Sequence, residues 1–183
     1  MLGLAAQWLG VTQTQANSVA PILISEEQGR HKSTFCRMLM PPQLARYYSD
    51  NLKLTAQGNP ERLLAEMGLL NMDEFDKFGA QKMPLLKNLM QMSSLNICKA
   101  YQKNFRSLPR IASFIGTSNR TDLLCDPTGS RRFICIEAEH DIDCTGIEHS
   151  QIYAQLKEEL LAGARHWFNK EEEHALQCHN MAY

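Results

Sequence analysis

The chain has 183 residues, of which 44% are hydrophobic and 21% charged, and its formal net charge is −1. This length suits one domain with a substantial core. The near-zero charge excludes a global basic field for nucleic acid, so any such surface must be local. No apolar run approaches the length of a membrane span, and the opening residues lack the basic region of a signal peptide. Six cysteines without a C-x-x-C pair indicate reduced thiols, and hence a cytoplasmic protein.

Helix and strand patterns alternate through the first part of the chain. Apolar residues at helical spacing predict a short helix over residues 2–10, and a polar loop follows from Thr12 to Ser18. The apolar run Ile22–Ser25 predicts a buried strand. A helix is expected over Ser33–Met40, where Pro41 and the next proline end it.

The loop between this strand and this helix has the layout of a phosphate-binding P-loop. In such loops backbone N–H groups face the phosphates, a lysine neutralises charge and the next hydroxyl holds Mg²⁺. Lys32 and Ser33 match the pattern G-x-x-x-x-G-K-[ST], but Glu26 and His31 stand at its two glycines. A polar strand-to-helix turn is the alternative interpretation of the loop by itself.

A second motif lies downstream, after a helix that Asn59 would cap and Pro60 would begin. The apolar run Gly68–Met72 predicts a strand that ends in Asp73 and Glu74, a Walker B pattern. Its Asp would organise Mg²⁺ and its Glu would polarise the attacking water. Strands that end in acidic turn residues are common. Its place after a P-loop candidate adds weight, because doubly wound folds bring both motifs to the carboxyl ends of parallel strands.

Basic and aromatic residues are interleaved between Asn96 and Arg110, after a helix expected over residues 80–92. Cations that track a backbone, with rings that stack on bases, suit a single-stranded nucleic acid. An equal alternative is a solvated strand pair or helix edge with two buried rings. The rings are Tyr101 and Phe105, and the cations are Lys99, Lys103, Arg106 and Arg110.

Another buried strand, Ala112–Asn119, would place Asn119 at its tip facing a γ-phosphate. A turn-rich loop then leads to Arg131 and Arg132 at the start of an apolar run. Two adjacent arginines at a strand start can reach a phosphate, in cis or across a subunit interface. They can also pair with nearby acids, of which the sequence offers Asp122, Asp126 and Glu137.

Two helices are expected at the end of the chain, over His149–Phe168 and Lys170–His179. Glutamates 171–173 suit the first turn of the second helix. His174, Cys178 and His179 raise a metal site, but no matching ligand pair at a plausible spacing supports one.

The order of these parts resembles the virulence-associated E (VirE/VapE) family of P-loop ATPases. That family is similar to superfamily-3 helicases and to the primase-helicases of phages and mobile elements. The resemblance covers residues 20–137. Its most specific pieces are Gln28-Gly29, Lys32-Ser33-Thr34-Phe35, Asp73-Glu74-Phe75, Phe114-Ile115-Gly116-Thr117-Ser118-Asn119 and Asp126-x-Thr128-Gly129-x-Arg131-Arg132-Phe133.

The resemblance implies an α/β fold, a three-layer αβα P-loop NTPase of the AAA+ or superfamily-3 helicase type. Its central sheet would be mostly parallel, with helices at the C-terminus. The corresponding domain organisation is an N-terminal helix and linker over residues 1–19, an NTPase core over 20–145 and a helical segment over 146–183 packed on the same domain.

The resemblance also implies roles for residues. The loop would bind ATP through Gln28, Gly29, Arg30, His31, Lys32, Ser33 and Thr34. Ser33 and Asp73 would hold Mg²⁺, Glu74 would activate water and Asn119 would be the sensor. Arg131 and Arg132 would act as an arginine finger or sensor arginine between subunits. Lys99, Lys103, Arg106 and Arg110 would contact DNA from a hairpin.

The function implied is Mg²⁺-dependent ATP hydrolysis coupled to single-stranded DNA, in a replication or mobile-element protein. In its full-length context that protein would be a homo-oligomer, for which a ring is one arrangement, and no membrane partner is expected. The first alternative is a degenerate P-loop domain that serves assembly or nucleic-acid binding. His31 would crowd the phosphates or demand a strained turn, and Glu26 and Glu27 add negative charge. A small-molecule kinase is a weaker alternative, because no arginine-rich lid is evident.

Overall fold

A computed structural model describes residues 1–11, 16–55, 58–98, 105–124 and 130–183. The α-helices of these ranges are α1 (Leu2–Trp8), α2 (Lys32–Met38), α3 (Pro60–Glu66), α4 (Met83–Gln91), α5 (His149–Leu161) and α6 (Lys170–His179). The strands are β1 (Ala20–Ile24), β2 (Tyr48–Ser49), β3 (Leu69–Met72), β4 (Ser94–Cys98), β5 (Phe105–Pro109), β6 (Ser113–Ser118) and β7 (Phe133–Glu137).

Five of the strands form one parallel sheet in the order β2-β3-β6-β1-β7. β1 therefore lies between β6 and β7, with Ile22 opposite both Gly116 and Cys135. β4 and β5 pair antiparallel in a separate two-stranded sheet. The mixed α/β fold with a mostly parallel central sheet, which the sequence predicts, is confirmed.

Both faces of the central sheet are covered. Successive residues of a strand point to opposite faces, so neighbouring residues of β1 join different core clusters. Ile22 and Ile24 of β1 belong to a core cluster that includes Leu64 of α3 and Leu89 of α4. Leu23, between them, belongs to a second cluster with residues of α1 and α2, among them Leu4 and Cys36. Strands buried on both faces require near-continuous apolar runs, which is why β1 is apolar along its whole length.

Gly116 shows how tightly the central strands pack. A Cβ atom at this position would lie 2.7 Å from Ile22 Cδ1 on the neighbouring strand. A larger residue at Gly116 would therefore force the Ile22 side chain to shift.

Three details differ from the sequence-based expectation. Asn59 gives α3 no side-chain cap: its backbone is left-handed, with φ 42°. Pro60 does begin that helix. The helix expected to reach Phe168 ends at Leu161, because Gly163 adopts φ 82° and Schellman hydrogen bonds close the helix (Gly163 N to Leu160 O, 3.0 Å). The helix expected over residues 80–92 begins with a 3₁₀ turn before α4.

The terminal helices attach to the same sheet. Trp8 of α1 stacks on Tyr153 of α5, with ring centroids 5.6 Å apart, and its indole N–H donates to the Gly68 carbonyl at 3.0 Å. α6 matches its predicted span, and Asn169 and Glu172 form a capping box at its start. Within the described ranges, no helix combines the length and the apolar character needed to cross a membrane.

Candidate functional site

Three loops of the parallel sheet bring the predicted site residues together. The Lys32 loop follows β1, Asp73 and Glu74 follow β3, and Asn119 follows β6. These strands are neighbours in the order β3-β6-β1. Because parallel neighbours end at the same edge of a sheet, residues from three distant segments meet there.

Lys32 is the first residue of α2, and only 7% of it is exposed. Its ammonium group donates to Asn119 Oδ1 at 2.9 Å, to the Ser25 carbonyl at 3.1 Å and to the Glu27 carbonyl at 3.4 Å. Burial lowers the pKa of Lys32, the charge of Arg30 lowers it further, and Asp73 and Asp76 oppose that shift. The lysine thus bridges the ends of β1 and β6.

Asp73 forms the second part of the site. Its Oδ1 accepts hydrogen bonds from Ser33 Oγ at 2.8 Å and from Thr117 Oγ1 at 2.6 Å. Thr117 Oγ1 in turn accepts from the Glu74 N–H at 3.3 Å. A hydroxyl and a carboxylate are hard oxygen ligands, and Mg²⁺ is commonly held by one or two such groups together with waters and phosphates. Ser33 and Asp73 therefore fit a magnesium ion.

Thr117 is a site residue that the sequence reasoning missed. It is 3% exposed and fixes both Asp73 and the backbone of Glu74. The sequence feature that could have identified Thr117 is its position near the end of β6, two residues before the predicted sensor Asn119.

Glu74 has a left-handed backbone, with φ 52° and ψ 52°. Its Oε1 lies 2.6 Å from the Lys77 ammonium group, and half of its side chain is exposed. The hydrogen bond that Lys77 donates to Glu74 raises the pKa of Lys77. The predicted water-activating carboxylate is therefore at the correct strand end, but it is engaged by a neighbouring lysine.

His31 occupies the position of the second P-loop glycine and caps α2 with φ 59° and ψ 19°. This left-handed backbone is the one that glycine adopts without strain, and the strained turn expected at His31 is confirmed. The imidazole is exposed to solvent. Gly29, two residues earlier, is also left-handed, with φ 86°.

Arg30 fastens the loop rather than reaching outward. It forms an ion pair with Glu27 at 2.7 Å and approaches Asp141 to 3.9 Å. The Arg30 carbonyl also accepts from the Ile142 N–H at 3.3 Å. The segment that follows β7 therefore supports the loop, which the spacing in the sequence does not reveal. Gln28 and Thr34, the remaining predicted loop residues, are exposed.

Arg131 and Arg132 lie at the opposite edge of the sheet. They precede Phe133, which pairs with Ala20 at the start of β1, whereas the Lys32 loop follows the end of β1. The length of β1 separates the two edges by about 16 Å. The prediction that Arg131 and Arg132 reach the Lys32 loop of the same subunit is therefore wrong. A contact with the loop of a neighbouring subunit stays a prediction.

Within the described residues, the partner of Arg131 is not one of the acids expected beside these arginines. Arg131 pairs with Glu173 of α6 at 3.1 Å. Asp122 pairs instead with Arg120 at 2.5 Å, and Asp126 lies outside the described residues. Burial lowers the pKa of Arg132, Arg131 lowers it further, and Glu173 opposes the shift.

Part of the basic segment lies on β4 and β5, which pair antiparallel. Lys99, Tyr101 and Lys103 lie outside the described residues. Arg106 is exposed on β5.

Arg110 corrects the prediction of a DNA contact, because only 1% of it is exposed. Its guanidinium donates to the carbonyls of Met90 at 2.6 Å, Asn17 at 2.5 Å and Leu89 at 3.1 Å. Burial lowers the pKa of Arg110 to about 10. Arg110 is a buried structural cation, unavailable to a ligand.

The cysteine and histidine candidates at the C-terminus are not assembled as a metal site. His174 Nε2 lies 3.8 Å from Cys178 Sγ, while His179 contacts the Cys135 carbonyl at 3.0 Å. Among the described residues no group of three metal-ligand side chains is found. Cys36 and Cys135 are buried free thiols, as expected for reduced cysteines.

Comparisons with known proteins agree with this architecture. No curated protein is significantly similar to the chain. Two solved structures are similar in fold: the A-form apo structure of the NrS-1 C-terminal region (TM-score 0.51, 20% identity, 99% of this chain) and a further apo structure of that region (TM-score 0.52, 19% identity, 98% of this chain). The chain spans 39% of the length of each. The sequence model of the virulence-associated protein E-like domain matches residues 11–183, and the chain belongs to this family.

Proposed function

We propose that the chain is the ATP-binding, Mg²⁺-dependent ATPase module of a DNA replication or mobile-element protein, with a P-loop NTPase core of the AAA+ or superfamily-3 helicase type. One observation carries the proposal. Lys32, Ser33, Asp73 and Asn119 come from three strand ends and are joined by hydrogen bonds of 2.8–2.9 Å. Membership of the virulence-associated protein E-like family supports a role related to DNA replication.

In this proposal each side chain has one task. The loop of residues 25–34 surrounds the phosphates, and Lys32 neutralises their charge. Ser33 and Asp73 hold Mg²⁺, which would supply electrostatic stabilisation of the transferred phosphoryl group. Glu74 orients and polarises the attacking water, and Asn119 senses the γ-phosphate from the tip of β6. Thr117 is a positioning residue, because it fixes Asp73 and the Glu74 backbone.

The arginines motivate the proposal of a homo-oligomeric ring. Arg131 and Arg132 are separated from their own Lys32 loop by the length of β1. An arginine finger here must therefore act on a neighbouring subunit. Arg106 on the β4–β5 hairpin is the described cation that we assign to single-stranded DNA.

A specific observation favours a second candidate, a degenerate P-loop domain that serves assembly or nucleic-acid binding. The Lys32 ammonium group already has three acceptors within the protein. It must leave at least one of them to contact a phosphate. In a degenerate domain, Lys32 would keep its hydrogen bonds to the loop and stabilise the fold only, and ATP would bind weakly.

The test is equilibrium binding of ATP with and without Mg²⁺, together with steady-state hydrolysis. We expect Mg²⁺-dependent binding that Lys32→Ala abolishes and that Lys157→Ala, a change of an exposed lysine on α5, leaves intact. Failure of the unaltered protein to bind nucleotide would refute the ATPase proposal and leave the degenerate domain. Loss of binding in both variants would show that Lys32 has no special part.

A further inference from the structure

A groove opens beside the strand end that carries Asp73 and Glu74. Its volume is about 220 Å³, and residues 52–55 form one wall. Lys53 belongs to this wall, and Lys77 and Lys82 stand with the two acids on the other. The groove is distinct from the Lys32 loop, none of whose residues lines it.

The charges of the groove do not cancel. Glu74 is engaged by Lys77 at 2.6 Å, and Asp73 accepts from two hydroxyl groups. Lys53 and Lys82 are exposed and form no ion pair with any residue that the structure describes. Three lysines and two carboxylates leave one positive charge. One phosphodiester, with a single negative charge, would balance it.

We propose that this groove binds phosphate groups, from a single-stranded nucleic acid backbone or from free inorganic phosphate, through Lys53, Lys77 and Lys82. Lysine binds phosphate as a point charge, and its flexible stem lets three ammonium groups converge on one anion. Two buried leucines, Leu52 and Leu54, hold the Lys53 wall in place.

The Glu74–Lys77 pair couples the groove to the candidate site, a step that rests on the proposed function. Both side chains are half-exposed or more, at 50% and 66%. An exposed ion pair contributes little energy, so a phosphate in the groove competes with Glu74 for Lys77. Occupation of the groove therefore releases the carboxylate that would polarise the attacking water. Nucleic acid would stimulate hydrolysis by this exchange of partners.

The binding test uses the whole chain without nucleotide. Fluorescence anisotropy of a labelled oligo-dT is measured across a salt series for the unaltered protein and for Lys53→Gln/Lys82→Gln. The control, Lys157→Gln/Lys170→Gln, removes two exposed lysines from α5 and α6. We expect the groove variant to bind about tenfold more weakly and its salt slope to fall by about 0.7, since the groove holds one phosphate and each single-strand phosphate contact contributes about 0.7. The control should retain both values.

A second arm distinguishes the source of the phosphate. Inorganic phosphate is titrated into the same variants by calorimetry. Loss of phosphate binding in the groove variant, with oligo-dT binding intact, would assign the groove to free phosphate. Equal binding of both probes by the groove variant and the unaltered protein would overturn the proposal. Thermal unfolding confirms that each variant is folded.

The coupling is tested with Lys77→Gln. Without oligo-dT its ATP hydrolysis should reach the rate that oligo-dT produces in the unaltered protein, and oligo-dT should add nothing further. A basal rate equal to that of the unaltered protein would refute the release of Glu74. If the unaltered protein hydrolyses no ATP, the proposed function fails and the binding measurements alone decide the groove.

Discussion

Two buried cations lie near opposite edges of the parallel sheet, and both donate to main-chain carbonyls. Arg110 precedes β6 at the amino edge, and Lys32 follows β1 at the carboxyl edge. Their burial is similar, with 1% and 7% exposed. Their surroundings differ. The acids Asp73 and Asp76 raise the pKa of Lys32 against the effect of burial, whereas among the described residues no acid offsets the effect of burial on the pKa of Arg110.

The backbone around the two cations differs in the same sense. Two of the three non-glycine residues with positive φ among the described residues, His31 and Glu74, lie at the carboxyl edge. Left-handed backbone at a non-glycine residue costs about 1–2 kcal/mol, and strain of this kind concentrates at functional sites. A buried cation that donates to carbonyl groups is therefore ambiguous by itself. Neighbouring carboxylates and strained backbone are the features that support the proposed role of Lys32, and Arg110 has neither of them.

The largest effect on ATP hydrolysis is expected for Arg131 and Arg132 at the amino edge, which would contact the nucleotide of a neighbouring subunit. Arg131→Ala/Arg132→Ala should lower ATP hydrolysis by about 10³-fold or more, the magnitude that arginine fingers contribute. The measurement is steady-state hydrolysis of the assembled protein. Mixing this variant with Lys32→Ala should restore part of the activity, because the Lys32→Ala subunits supply intact arginines. Absence of any rescue would contradict action between subunits.

Glu74→Gln should separate binding from chemistry at the carboxyl edge. We expect hydrolysis to fall by about 10²–10³-fold, because general base catalysis contributes that much, while ATP binding stays within about twofold. Single-turnover hydrolysis and equilibrium binding are compared in the same preparation. Glu66→Gln, at the end of α3, is the control for the loss of one carboxylate. Unchanged hydrolysis in Glu74→Gln would remove Glu74 from the chemistry.

Arg110→Met tests the structural cation. The change leaves the carbonyls of Met90, Asn17 and Leu89 without their donor, so we expect the free energy of unfolding to fall by about 3 kcal/mol. Urea unfolding measures it. Lys32→Met should lower the free energy of unfolding by less, about 1 kcal/mol or under, because residues of a functional site are not optimised for stability. The opposite order of stabilities would reverse the assignment of the two cations.

His31→Gly should have the smallest effect. The backbone is already left-handed and the imidazole exposed, so glycine supplies no conformation that the loop lacks. Relief of strain and the added entropy of the unfolded chain are each about 1 kcal/mol and oppose one another. We expect ATP affinity to change by less than about fivefold. A gain of about 100-fold would show that His31 impairs the loop, and would favour the degenerate domain.

Most of the fold follows from the sequence because β1, β3, β6 and β7 each contain a short apolar run, and turn or helix signals separate these runs along the chain. β3 and α6 are predicted almost to the residue for this reason. The edge at which Asp73 and Asn119 meet Lys32 is also predictable, since parallel strands end together.

The remainder depended on contacts between distant segments. Asp141 beside Arg30, Glu173 beside Arg131 and Thr117 on Asp73 are fixed by tertiary packing, which residue spacing does not encode. The error at Arg110 has the same origin. Its basic sequence neighbours favoured a surface role, whereas the carbonyls at the end of α4 bury it.

The central claim is that the Lys32 loop binds the phosphates of a nucleotide, and a crystal structure with Mg²⁺ and a non-hydrolysable ATP analogue tests it most directly. We expect Lys32 Nζ to leave the Ser25 and Glu27 carbonyls for the phosphates, with Ser33 and Asp73 at the metal ion. A nucleotide bound elsewhere, with the three Lys32 hydrogen bonds unchanged, would contradict it.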